Sequence, residues 1–203
     1  MKKTNLTKIF IINAGEHFLH ARGKFNTAVT AITTGYFSSR TDAPDIQVTT
    51  LKNGYLVMEE VEKYKWADLI IYHTPIWWFN IPHGLKRYFE VLSAGRLNGL
   101  SKGDGRSSEN PAINYGTGGR LTQKPYLVTA SMNAPENAFT AQGGFFSQHS
   151  VDDGILFGFH RMHAYMGMRK LESFHFYDLI KNANTTEYLN QYKLHLEKIN
   201  RII

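Results

Sequence analysis

The sequence of 203 residues contains no cysteine, which excludes a disulfide framework, a thiolate metal site and a catalytic thiol. This absence fits a reducing compartment. No apolar run approaches the length of a membrane span, and the stretch at residues 9–12 is too short for the core of a signal peptide. We therefore expect a cytoplasmic protein that does not insert into a membrane.

Acidic residues are the scarcer charge, with 17 against 23 lysines and arginines, so the formal net charge is +6. The basic residues are scattered, with neither zinc-finger spacing nor an RNA-binding aromatic signature. We therefore expect no nucleic-acid partner. No metal-binding pattern such as HExxH is present either, which predicts no metal. The length fits one domain over residues 1–203.

Continuous apolar runs alternate along the chain with helical patterns. Strands are predicted at residues 8–14, 46–51, 68–73, 126–131 and 169–176. Helices are predicted at residues 24–37, 56–65, 83–92, 155–165 and 185–201, and irregular stretches at 95–124 and 133–153. This alternation implies right-handed crossovers. It predicts a doubly wound, five-stranded parallel α/β sheet in the flavodoxin-like order 2-1-3-4-5, with helices on both faces.

In such a sheet the loops after strands one, three and four converge at one edge. The first loop, residues 15–27, leads into a helix whose free N–H groups suit phosphate. Arg22 and Lys24 add positive charge there, and Gly23 allows close approach of the backbone. Neither familiar nucleotide fingerprint is present in this loop, so a solvated loop with two surface cations stays open as an alternative.

The second loop directly follows a buried strand and contains Pro75, Trp77, Trp78 and Phe79. These aromatic residues could lie in a core or a dimer interface. Three consecutive side chains cannot all enter one core, however, so we expect at least one to face a ligand or a partner. A flat aromatic wall suits a flat ligand, and a flavin ring is the leading candidate.

The third loop begins at Ser131 and continues through Met132, Asn133 and Ala134 to Pro135. Its backbone N–H groups could donate to the polar edge of a heterocycle. A plain turn closed by Pro135 is the alternative.

Taken together, the chain resembles the bacterial NADPH:quinone oxidoreductases called modulator of drug activity B, and more distantly the mammalian-type quinone reductases. The resemblance covers nearly the whole chain and depends on the order and spacing of several short motifs. These are Trp66-Ala-Asp, Pro75-Ile-Trp-Trp, Pro82 followed by Leu85-Lys-Arg-Tyr, Tyr115-Gly-Thr-Gly-Gly, Asn133-Ala-Pro-Glu-Asn-Ala-Phe, Val151-Asp-Asp-Gly, and Phe159-His160 before Met166-Gly-Met.

The resemblance implies bound FAD, a nicotinamide donor (NADPH or NADH), a quinone substrate, and a homodimer with its active sites at the interface. It places the contacts to the flavin on three groups of residues and on Tyr115, which the partner subunit could donate. The groups are Ala21, Arg22, Gly23, Lys24, Phe25, Asn26, Thr27 and Ala28; Pro75, Ile76, Trp77 and Trp78; and Ser131, Met132, Asn133 and Ala134.

Two positions depart from the pattern of the family. Ala21 stands where a serine hydroxyl would suit a phosphate, so Arg22, Lys24, Asn26 and backbone donors must supply more of that contact. Ile76 stands where relatives tend to have glycine, which puts the range of substrates in question.

The implied reaction passes a hydride from the nicotinamide to the flavin and then to the quinone through one shared pocket, which predicts ping-pong kinetics. We expect the N–H groups of Met132, Asn133 and Ala134 to stabilise the negative charge of the reduced flavin. Water, Tyr115 or His160 could donate the protons, although a structural role is the alternative for both side chains. Two other functions stay open, an FMN-binding electron carrier of the flavodoxin type and a flavin-binding regulatory subunit.

Overall fold

The computed structural model describes residues 6–18, 21–93 and 99–203. The elements follow one another as β1 (Lys8–Asn13), α1 (Lys24–Ser38), β2 (Asp45–Thr50), α2 (Val57–Trp66), β3 (Leu69–Pro75), α3 (His83–Ser93), β4 (Pro125–Ser131), α4 (Asn137–Thr140), α5 (Phe157–Tyr165), β5 (Arg169–Lys170), β6 (Phe174–Phe176) and α6 (Thr185–Ile202), with a 3-10 turn at Leu51–Asn53. Residues 95–98 of the predicted long loop, and Leu19 and His20 of the first loop, lie outside the described residues.

The strands form one parallel sheet in the order β2-β1-β3-β4-β5, and β6 also pairs with β4. The predicted flavodoxin-like order is therefore confirmed. β2 lies at the edge of the sheet, where its alternating pattern of apolar and polar residues placed it. The inner strands β1, β3 and β4 are almost wholly buried because helices cover both of their faces.

Successive residues of these strands point to opposite faces, and this alternation creates two hydrophobic clusters. Phe10 and Tyr72 belong to the cluster covered by α2, α3 and α5. Ile11 and Ile71 belong to the cluster covered by α1 and α6. Asn184 is the N-cap of α6, since its side chain accepts a hydrogen bond from the N–H of Glu187 at 3.2 Å.

The prediction of one continuous fifth strand at residues 169–176 is wrong in detail, since the strand is broken into β5 and β6. At the break, the carbonyl oxygen of Glu172 accepts a hydrogen bond from Nε2 of His195 on α6, at 2.9 Å. Its carboxylate pairs with Lys198 on the same helix. Glu172 therefore bonds to α6 instead of extending the ladder with β4.

The stretch at residues 133–153 contains a short helix, α4, where we expected irregular chain throughout. The helix forms around Phe139, which is buried and stacks on Phe146 with ring centroids 4.0 Å apart. In addition, α5 begins at Phe157, two residues later than predicted. Among the described residues, we find no helix with the length and apolarity needed to cross a bilayer.

Candidate functional site

The carboxyl ends of β1, β3, β4 and β6 meet at one edge of the sheet, around a cleft of about 500 Å³. This volume lies in the range of small-molecule sites. We call it the strand-tip cleft and define it by its lining residues, which are Glu16, Ala21, Arg22, Gly23, Lys24, Phe25, Asn26, Pro75, Ile76, Trp77, Ser131, Met132, Asn133, Leu179 and Ile180.

The first wall of the cleft is the loop between β1 and α1. Gly23 precedes the helix with a φ of 64°, in the left-handed region that favours glycine. No side chain of the described residues caps α1, so the first-turn N–H groups near Lys24 and Phe25 are not masked by a cap. Arg22 and Lys24 are exposed beside them. Backbone donors, the helix dipole and two cations therefore favour an anion at this end.

A tight aromatic turn forms the second wall. The Trp77 N–H donates to the Asn80 carbonyl oxygen at 2.9 Å and the reverse bond measures 3.0 Å, which closes a two-residue turn over Trp78 and Phe79. Both of these residues have positive φ, at 44° and 63°. This backbone normally selects Asn and Gly, so bulky aromatic residues here are strained, and such strain clusters at functional sites.

The three aromatic side chains of this turn take different environments. Trp77 lines the cleft and lies against Phe18, with ring centroids 5.5 Å apart. Trp78 is 91% exposed and does not line the cleft. Phe79 stacks on Phe145, at 5.5 Å, outside the cleft. The three rings therefore do not enter one core.

The loop after β4 forms the third wall and is bonded to both of the others. The Ser131 hydroxyl donates to Oδ1 of Asn26 at 3.2 Å, and the Ile76 N–H donates to the Ser131 carbonyl oxygen at 2.8 Å. Ser131 therefore joins the phosphate-suited wall to the aromatic wall.

One expected donor of this loop is engaged elsewhere. The Met132 N–H donates to the carbonyl oxygen of Phe176 on β6 at 2.9 Å, so the expectation that it donates to a ligand is corrected. Within the described part of the chain, the N–H groups of Asn133 and Ala134 donate to no protein acceptor. These two groups remain the candidate donors at this edge.

Five of the expected contact residues do not line the cleft: Thr27, Ala28, Trp78, Ala134 and Tyr115. Thr27 and Ala28 are exposed on α1, one turn beyond the lining residues. Trp78 points to solvent, and Ala134 uses its carbonyl oxygen to accept the Asp178 N–H at 3.2 Å.

Tyr115 lies outside the strand-tip cleft of its own chain. It is 71% exposed and lines a separate cavity of about 600 Å³ between α3 and α5, with its ring 6.1 Å from that of Tyr165. The structure therefore does not bring Tyr115 together with the other candidate residues within one chain.

His160 is likewise absent from the lining of the cleft. Its Nδ1 lies 2.8 Å from the Tyr126 hydroxyl, and its Nε2 lies 3.1 Å from Oδ1 of Asp152. Burial raises the pKa of Asp152, but hydrogen bonds from His160, His175 and Lys170 outweigh it and hold that pKa well below its usual range. His160 thus belongs to a charge cluster between α5 and β6.

Sequence reasoning did not single out three lining residues, Glu16, Leu179 and Ile180. Leu179 and Ile180 follow β6, and the rule that carboxyl ends of parallel strands share an edge would have indicated them. Glu16 lies within the first loop, and burial raises its pKa while the nearby His83 lowers it. Its place in the cleft depends on α3, which no local pattern reveals.

Two known proteins match this chain over nearly the full length of both partners. Residues 7–199 match the family described as a flavodoxin-like fold. An uncharacterized protein of Schizosaccharomyces pombe is 38% identical over 198 residues, which cover 95% of this chain and 96% of that protein. The NADPH:quinone oxidoreductase MdaB of Haemophilus influenzae is 34% identical over 191 residues, covering 94% of this chain and 98% of the relative.

A solved structure supports the same fold. A provisionally assigned quinone reductase of Klebsiella pneumoniae superposes with a TM-score of 0.73 at 19% identity, covering 96% of this chain and 85% of that one. The family match, the strand order and the two full-length relatives agree. The chain therefore belongs to the flavodoxin-like fold family, in the branch that includes the modulator of drug activity B proteins.

Proposed function

We propose that this protein is an NAD(P)H:quinone oxidoreductase that binds FAD in the strand-tip cleft. One observation carries the proposal: the N-terminus of α1, an aromatic wall and a polar loop edge line the same cleft. The 34% identity to an NADPH:quinone oxidoreductase over nearly the full length of both chains supports the reaction.

The residues of the cleft fit a flavin with a phosphate-bearing chain. The first turn of α1, with Arg22 and Lys24, would hold the phosphates. Ala21 offers no hydroxyl there, so the N–H groups of the helix and Asn26 would supply the uncharged contacts. Pro75, Ile76 and Trp77 would lie along the ring and its chain, where Ile76 narrows the space that a glycine would leave.

A bound flavin supplies the hydride acceptor and donor that no side chain of the protein can provide. The N–H of Asn133, which lines the cleft, and that of Ala134, the next residue and also without a protein acceptor among the described residues, would donate to the polar edge of the ring and stabilise negative charge that develops there. A hydrogen bond to a charged group contributes about 1.5–3 kcal/mol, so two such donors have a sizeable effect on the reduced state.

We propose further that the active form is a cytoplasmic homodimer of single-domain chains. Tyr115 lies outside the cleft of its own chain and is 71% exposed, which leaves its ring free to reach the cleft of a partner. In this role Tyr115, together with water, would hold the protons that the quinone oxygens take up. His160 is a weaker candidate because Tyr126 and Asp152 already engage its two ring nitrogens.

The cofactor gives the direct test of this function. The purified protein should be yellow, and chromatography of the flavin released by heat should identify FAD. It should oxidise NADPH rapidly when menadione is added, with the parallel double-reciprocal plots of a ping-pong reaction. A colourless protein that also fails to bind added FAD would overturn the proposal, whereas released FMN would correct only the cofactor.

A further inference from the structure

Glu16 is a carboxylate in the strand-tip cleft whose polar atoms are poorly satisfied. Its side chain is 13% exposed, and Oε1 is buried without a hydrogen-bond partner in the described part of the chain. Oε2 faces Nε2 of His83 at 3.6 Å, which is longer than a hydrogen bond. A covered carboxylate with one distant partner is unfavourable, so a donor from a ligand would stabilise it.

The surrounding chain keeps space for this carboxylate. Gly84, in the first turn of α3, packs directly on it, and a Cβ at that position would overlap Oε1 of Glu16. A glycine in a helix costs about 1 kcal/mol relative to alanine. Here the glycine leaves the room that lets the Glu16 carboxylate lie against the start of α3.

The neighbours of Glu16 indicate which part of a ligand it meets. Its partner His83 lies 6.3 Å from Trp77 and 5.7 Å from Phe18, as ring centroids, so Glu16 belongs to the aromatic side of the cleft. An anion is disfavoured beside a carboxylate, whereas an uncharged hydroxyl can donate to it. A flavin carries such hydroxyls on the chain that joins its ring to its phosphate.

We infer that Glu16 is a specificity-determining residue that accepts a hydrogen bond from a hydroxyl of the ribityl chain, and that Gly84 keeps the space it needs. This inference rests on the proposed flavin site. It distinguishes flavins with a polyhydroxyl chain from flat rings that lack one.

Two uncharged ligands isolate this contact from the phosphate. The full-length protein, freed of flavin, is titrated with riboflavin and with lumiflavin, which has the ring without the ribityl chain, and fluorescence quenching gives each Kd. Glu16→Ala should raise the Kd of riboflavin by about 10-fold and leave that of lumiflavin unchanged. Glu16→Gln keeps a neutral acceptor and should show a smaller loss.

Gly84→Ala gives an independent variant because it displaces the carboxylate without removing it. It should raise the Kd of riboflavin alone, as Glu16→Ala does. Glu62→Ala, at an exposed glutamate of α2, is the matched control and should leave both constants unchanged. Equal losses for riboflavin and lumiflavin would overturn the inference, since they would indicate a structural role.

The pH dependence gives a second readout. The charged or titratable groups around Glu16 are His83 on α3 and Tyr55 after the 3-10 turn, and Arg22 and Lys24 of the same loop also line the cleft. If the ionised carboxylate accepts the hydroxyl, the Kd of riboflavin must rise as pH falls through the raised pKa of Glu16.

This rise of the riboflavin Kd at low pH should vanish in Glu16→Gln and persist in His83→Gln. A Kd that falls towards acid pH would overturn the inference, because it would mean that the protonated carboxyl binds riboflavin better than the ionised acceptor does. If the wild type binds riboflavin but Glu16→Ala does not change its Kd, only this inference fails. If the wild type binds no flavin at all, the proposed function fails with it.

Discussion

Gly23 lies so close to Gly15 that a Cβ built on it would come 2.7 Å from the Gly15 carbonyl oxygen. The two glycines thus pack backbone to backbone where the loop after β1 enters α1. The N–H of Gly15 is held in turn by Oδ1 of Asn13 at 2.9 Å. This contact fixes the start of α1, and with it the direction of the first N–H groups of the helix.

We therefore expect Gly23→Ala to damage the phosphate-suited end of the cleft. The substitution forces a side chain into the left-handed region, at a cost of about 1–2 kcal/mol, and adds the clash with Gly15. The Kd of FAD, measured by fluorescence quenching, should rise at least about 10-fold. Gly35→Ala in α1 is the control, because its Cβ meets nothing within 4 Å and should not change FAD binding.

Arg22 and Lys24 should act on the phosphates alone. The double variant Arg22→Ala/Lys24→Ala should weaken FAD and FMN by about 10-fold each and leave riboflavin unchanged, because exposed cations attract the anionic groups. The loss of FAD and FMN affinity in the double variant, relative to the wild type, should be smaller in high salt, which screens exposed charges. Lys52→Ala, at an exposed lysine of the 3-10 turn, provides the control. An equal loss for riboflavin would contradict this assignment.

Trp78→Asn should separate stability from function. Asn tolerates the left-handed backbone that Trp78 adopts, and the indole is 91% exposed, so the free energy of unfolding should stay constant or rise by up to about 1 kcal/mol. Because Trp78 does not line the cleft, the KM for menadione should stay that of the wild type. Phe157→Asn, at an exposed aromatic residue of α5, should not change that KM. A large loss of stability in Trp78→Asn would show that the turn does not carry the strain we assign to it.

We expect the buried His163 to make the free energy of unfolding fall at acid pH. Its ring is fully buried, Nδ1 lies 2.8 Å from the Phe159 carbonyl oxygen, and Nε2 lacks a partner among the described residues. Burial lowers its pKa from 6.5 to about 3. Between these two values the unfolded chain binds a proton that the folded chain does not, so this contribution lowers stability as pH falls below about 6.5.

Urea unfolding of the wild type and of His163→Phe at several pH values tests this dependence. The slope of the unfolding free energy against pH should be smaller in the variant by up to about 1.4 kcal/mol per pH unit. His149→Phe serves as the control, since His149 is exposed and should keep the slope of the wild type. Identical slopes in all three proteins would show that folding does not lower the pKa of His163.

The sequence predicted the sheet well because the buried strands are continuous apolar runs and their order follows from helical crossovers. It also indicated the three walls of the cleft, since loops after parallel strands meet at one edge. The prediction failed where a distant element decides the local structure. The break at Glu172 depends on His195, and the lost Met132 donor depends on Phe176.

The aromatic loop was predicted, but its tight turn was not, for a different reason. A two-residue turn with positive φ at both positions is normally indicated by Asn-Gly, whereas this chain has Trp78 and Phe79 there. The hydrogen bonds between Trp77 and Asn80 enforce a backbone that the residue types themselves disfavour. The sequence therefore indicated the aromatic wall, but residue propensity carried no signal for the turn that shapes it.

Two hydrogen bonds join the loop after β4 to the chain around the end of β6. The Met132 N–H donates to the Phe176 carbonyl oxygen, and the Leu179 N–H donates to the Met132 carbonyl oxygen. The loop after β4 gains its final shape only when the segment after β6 docks on it. A chain still on the ribosome lacks this support until residue 180 has emerged, although most of the sheet has by then been translated. The third wall of the cleft is therefore completed by the last strand of the sheet, long after the loop that follows the first strand has been translated.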